Sequence, residues 1–138
     1  MPSLADFIAE HGITSTWKHV AGPRPSKEWP VGTHHYSVTM RRAMTMEDGG
    51  GGLMTVLYHM GAALTNPPTT EEVLETLAVD SSSYENAKDA EDWMSEYGET
   101  NVARGWRMYE AVEAQAQKLL EFLGEDLYKE LLWETERE

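Results

Sequence analysis

The chain has 138 residues, 24 Asp and Glu against 11 Lys and Arg, a formal charge of −13 and no cysteine. That length is one ordinary domain able to bury a core without staples, and the missing thiols exclude disulfides, thiolate metal sites and a cysteine nucleophile. The acidity argues against direct nucleic-acid binding, which draws its affinity from cations on phosphate, while 41% hydrophobic content with five Trp argues against disorder.

In chain order, SLADFIAEHG reads as a helix capped by Ser3 and stopped by Gly12, and Ile13–Val20 as a strand rich in β-branched and aromatic residues. AGPRPSKEWPVG holds three of the six prolines and reads as loop or extended connection, with Trp29 exposed in it. From His34 to Ala63 the period is two. Tyr36, Val38, Met40, Met44 and Met46 alternate with Ser37, Thr39, Arg41, Ala43 and Thr45, and after the EDGGGG turn Met54, Val56, Tyr58 and Met60 alternate with Leu53, Thr55, Leu57 and His59. This predicts a β-hairpin. Pairing Met46 with Met54, and so Met40 with Met60, puts both apolar rows on one face with Arg42 as the single misfit. Ser37, Thr39, Arg41, Thr45, Thr55 and His59 then face solvent.

Beyond NPP (Asn66–Pro68) the pattern is helical. Thr69-x-x-Glu72 and Ser82-x-x-Glu85 read as capping boxes, the second opening a helix that ends at Gly98. Asn101–Leu123 is the longest helix, with Trp106 central on its apolar stripe, and a terminal helix follows Gly124. Trp93, Trp106 and Trp133 are expected in the core. The predicted fold is α+β in a single domain, residues 1–138: an N-terminal helix, a small antiparallel sheet with a hairpin, then about four helices packed on the sheet. No basic residue precedes Lys18 and no apolar run is long enough to span a bilayer, so a cytoplasmic protein without membrane contact is expected.

The charge is unevenly placed. Residues 1–62 carry five bases and five acids, residues 63–138 six bases and 19 acids, so the whole net charge lies in the helical half. Glu71, Glu72, Glu75, Glu85, Asp89, Glu91, Asp92, Glu96 and Glu99 share one stretch with a single base, Lys88. A solvated helix surface accounts for acids as good helix formers and solubilisers. Yet Glu71/Glu75, Glu85/Asp89 and Asp92/Glu96 are like-charge i,i+4 pairs, each weakening its helix by a few tenths of a kcal/mol. Those nine acids are therefore the candidate partner-binding surface.

Chemical motifs are sparse. The five histidines show no HExxH or HxH spacing, and the register above sets His59 opposite Arg41, about 20 Å from His35 at ~3.3 Å per residue. Asp48–Gly52 lacks the Gly-Lys-Ser/Thr of a phosphate loop and reads as a mobile hairpin tip, and Ser81–Ser83 read as turn and capping serines. No catalytic residue, cofactor or metal is expected. The five Met of the predicted sheet face suit either a gap-filling core or an adaptable binding surface.

LADFIAEHGI, MTVLYHMG, EDWMSEYG and LLWETE together resemble small acidic proteins encoded by bacteriophages and prophages. The resemblance carries no activity and no site residues. It implies a phage accessory context, in which acidic proteins inhibit host machinery by occupying nucleic-acid-binding surfaces. The expected function is thus a non-enzymatic, DNA-mimicking anti-defence inhibitor that binds a basic host protein. The alternative is a structural or homo-oligomerising phage protein whose acidity serves only solubility.

Overall fold

The computed structural model describes residues 3–25, 27, 32–44, 49, 52–62 and 68–137. Helix α1 (Leu4–His11) precedes strands β1 (Thr14–Arg24), β2 (Thr33–Ala43) and β3 (Leu53–Ala62), and four helices follow: α2 (Thr70–Asn86), α3 (Ala90–Glu96), α4 (Val102–Leu123) and α5 (Glu125–Arg137). The fold is α+β, as expected. By internal contacts the chain divides into a sheet unit, Ala5–Val73, and a helical unit, Met1–Leu4 with Leu74–Glu138; α2 runs from the first into the second.

In the sheet unit the strands form one antiparallel sheet in the order β1-β2-β3. Tyr36, Val38, Met40 and Arg42 of β2 share a face with Met54, Val56, Tyr58 and Met60 of β3. The face assignment holds but the register differs. Met40 pairs with Val56 and Arg42 with Met54, four residues along β3 from the expected partners. A four-residue shift is even, so every side chain keeps its face. Two apolar rows of alternating residues satisfy both pairings equally, and alternation alone does not choose between them. The ladder continues with Met44 N–H donating to Gly52 C=O at 3.2 Å; Thr45, Met46 and most of the hairpin tip lie outside the described residues, as does Trp29.

Arg42 is 2% exposed although it sits in the apolar row, and one of its guanidinium nitrogens donates to Ala43 C=O at 3.3 Å. Met40 is fully buried and Met54 and Met60 are half-buried, which is how gap-filling thioethers sit. On the opposite face Thr55 and His59 are exposed and Ser37, Thr39 and Arg41 half-exposed, as their polarity requires. Strand β1 extends four residues beyond the expected end at Val20, with register irregularities between His19 and Ala21 and between Ala21 and Arg24. Gly22, at φ 107°, allows this close pairing: a Cβ there would meet Thr33 C=O at 2.5 Å.

The helices start where side chains satisfy their first N–H groups. Thr69 and Glu72 form the expected capping box at α2, with Glu72 N–H donating to Thr69 Oγ1 at 3.1 Å. The second expected box is absent. Ser82 and Glu85 lie inside α2, Ser81 and Ser82 are buried, and Ser83 Oγ donates to Val79 C=O at 3.0 Å. A Ser-x-x-Glu spacing fits a helix interior as well as its start, because serine can bond back to the carbonyl four residues earlier. The cap that opens α3 is Asp89, whose carboxylate accepts Asp92 N–H at 2.8 Å, while Asp92 accepts Lys88 N–H at 3.2 Å. Asn101 caps α4 by accepting Arg104 N–H at 3.0 Å.

Within the helical unit, Ala90, Trp93 and Met94 of α3 pack with Ala87, Tyr109 and Val112. Further along, Leu119, Phe122 and Leu123 of α4 and Tyr128 and Leu131 of α5 are buried. Two of the three tryptophans expected in the core are outside it. Trp93 is 4% exposed, but Trp106 is 46% and Trp133 53% exposed. Val102, one turn before Trp106, is also exposed, so the first turns of α4 are covered only on the side of Gly105, Tyr109 and Val112.

Candidate functional site

The nine candidate acids all lie at or near the surface, eight exposed and Glu99 half-buried. Five of them are occupied locally. Glu72, Asp89 and Asp92 cap helices, as above. Glu85 accepts the Tyr128 hydroxyl at 3.1 Å and so faces α5. Glu99 accepts Asn101 N–H at 2.9 Å and pairs with Arg104 at 3.4 Å, fastening the turn between α3 and α4. Glu71, Glu75, Glu91 and Glu96 make no hydrogen bond or ion pair with a described residue. The nine acids therefore divide into a structural set and an unengaged set. The expected start of this stretch of helix at Ser82 misses the Asp89 cap of α3, whose signal is the spacing of three between Asp89 and Asp92 ahead of an apolar run.

A site that the sequence did not suggest lies in the helical unit. It is a hollow of about 340 Å³ between α2, α3 and α4, lined by Asp80, Ser83, Trp93, Tyr97, Met108 and Val112 among others. The Trp93 and Tyr97 rings form one wall, their centroids 4.9 Å apart and their planes 32° from parallel. Asp80 is half-buried and has no hydrogen-bonding or ion-pairing partner among the described residues, and burial pushes its carboxyl above the usual range. The Ser83 and Tyr97 hydroxyls are hydrogen-bonded to each other. Since Ser83 donates its proton to Val79 C=O, Tyr97 is the donor of that pair. Trp93 Nε1–H is enclosed and has no hydrogen-bond partner among the described residues. No motif marks this hollow, because its parts come from three helices at helical-core spacing.

The histidines are closer together than the expected register allowed. His59 stands opposite Ser37 and His35 opposite Gly61, so these two are diagonal neighbours on the outer sheet face rather than about 20 Å apart. On the other face His19 Nε2 lies 3.2 Å from His34 Nδ1, with both rings beside Tyr36. Two imidazoles supply half of a tetrahedral metal set.

No protein-family model, no curated protein and no solved structure matches the chain. Among the described residues, no helix is long and apolar enough to cross a membrane.

Proposed function

We propose that this is a non-catalytic binding protein whose acidic helices engage a cationic surface on a protein that handles nucleic acid. The observation that carries the reading is the unengaged set. Glu71, Glu75, Glu91 and Glu96 stay exposed and without a described partner, although five neighbouring acids are committed to caps and turns. Carboxylates held in this state suit Arg and Lys groups that otherwise grip phosphate, and their field speeds encounter. The resemblance to phage-encoded acidic proteins extends the proposal to a host protein of anti-phage defence, reached in the host cytoplasm.

The test is a salt-graded pull-down with the wild type and with a Glu71→Gln, Glu75→Gln, Glu91→Gln, Glu96→Gln variant, which leaves every cap intact. A basic protein held at low salt, released at high salt and lost by the variant supports the reading. Equal capture by both proteins defeats it.

A second reading, self-association, is favoured by Val102 and Trp106, exposed one turn apart on α4. Sedimentation at increasing concentration distinguishes it, since a symmetric interface through these residues would be lost in Trp106→Glu.

A further inference from the structure

We propose that the hollow between α2, α3 and α4 is a binding site for a small organic cation, an amine or quaternary ammonium carrying an apolar group. It stands independently of the acidic surface and its partner. The volume, about 340 Å³, is at the lower end of the ~300–1,000 Å³ typical of small-molecule sites. Its lining selects the sign of the ligand. Both hydroxyl protons are spent, Ser83 on Val79 C=O and Tyr97 on Ser83, so the two oxygens offer a ligand only lone pairs. The indole N–H of Trp93 is enclosed and does not reach the opening. Gln115 is the one side chain of the lining able to donate.

Against that single donor stand the Asp80 carboxylate and the exposed ring of Tyr97. Asp80 is half-buried without a described partner, an arrangement whose cost an incoming cation offsets. The Tyr97 ring, half exposed and backed by Trp93 at 4.9 Å, offers a π-face of the kind that attracts ammonium groups. Met108, Ala111 and Val112 provide the apolar floor for the rest of the ligand. An anion meets the Asp80 carboxylate, and a neutral molecule leaves it unpaired. Only a cation satisfies the whole lining.

The experiment titrates the full chain with benzyltrimethylammonium, benzyl alcohol and benzoate, following the amide and methyl NMR signals of Met108, Ala111 and Val112. The expected result is saturable binding of the ammonium ion at least ten-fold tighter than the alcohol, with none for benzoate. Asp80→Asn should weaken ammonium binding at least five-fold while leaving the alcohol unaffected. Tyr97→Leu, at a rim position 50% exposed, should weaken it too, which keeps the test valid if either variant folds poorly. Equal affinity for ammonium and alcohol, ammonium affinity unchanged in Asp80→Asn, shifts that map elsewhere, or no saturable binding would each overturn the proposal.

Discussion

Gly105 of α4 lies directly against Met94 of α3, so close that a Cβ at Gly105 would overlap the Met94 thioether. The absence of a side chain is what lets these two helices seat Trp93 and Met94 against Tyr109 and Val112. Gly105→Ala should therefore destabilise the protein by about 1–2 kcal/mol, the cost of overpacking less the better helix propensity of alanine. Denaturant unfolding measures it. In a Met94→Ala background the same change should be neutral or stabilising, because the overlap is gone.

Trp93→Ala should cost about 3–5 kcal/mol, as deletion of a buried aromatic does. Trp106→Ala should cost about 1 kcal/mol or less, since nearly half of that side chain is in solvent and its ring contact is an edge-on one with Tyr109 at 6.2 Å. Equal losses in thermal unfolding would place Trp106 in the core after all.

The contrast between these tryptophans shows what the chain declares of its fold and what it withholds. Apolar spacing identifies the face of α4 that a neighbour could cover, but coverage depends on how far that neighbour reaches. α3 is only seven residues long, so Gly105, Tyr109 and Val112 gain cover and Val102 and Trp106 do not. Sheet faces were legible because alternation is a local property, and the Thr69–Glu72 cap because both residues bond within one turn. The β2–β3 register was not, since two apolar rows slide past each other in even steps. Among the engaged acids the Asp89 cap was not legible because Ser82-x-x-Glu85 offers an earlier helix start with the same spacing, and the Glu85–Tyr128 bond joins residues 43 positions apart.

Within the acidic stretch, substitution should separate caps from surface. Asp89→Ala should cost about 1 kcal/mol by leaving the first N–H groups of α3 without an acceptor, and Asp89→Asn much less, because asparagine also caps. Glu91→Gln and Glu96→Gln should fall within ~0.5 kcal/mol of the wild type. Helicity and unfolding midpoints of the four variants provide the check.

Alkaline pH should unfold the protein through its buried tyrosines. Burial and the nearby Glu85 carboxylate push the Tyr128 hydroxyl up to about 12, and burial raises Tyr58 further. A raised folded-state value keeps the proton in the folded form while the unfolded chain releases it near its ordinary value of 10. Stability from these groups is complete below pH 10 and declines as the pH rises towards 12. Tyr128→Phe should flatten that decline in a Tm-against-pH series, at the cost of about 1 kcal/mol for the lost Glu85 bond.

Asp80 follows the same sign, but in the acidic range. Its carboxyl value is raised by burial, so the ionised form is disfavoured in the fold, and stability present below its ordinary 3.8 is lost as the pH rises through the folded value. Asp80→Asn should raise stability at pH 7 by a few tenths of a kcal/mol, modest because the group is partly solvated. A lower Tm for this variant would show that the carboxylate has a structural partner.

The two rims of the three-stranded sheet are unequal in what they permit. Along β1 the pairing slips twice within Thr14–Arg24, and Pro23 has no N–H to donate. β3 runs in unbroken register from Leu53 to Ala62 against β2. A foreign strand seeking to extend the sheet therefore finds a regular template beside β3 and an interrupted one beside β1. Edge-to-edge growth of this protein, whether in aggregation or in strand exchange between molecules, is polarised towards the β3 side. A proline placed in β3 would be the single substitution that closes that route.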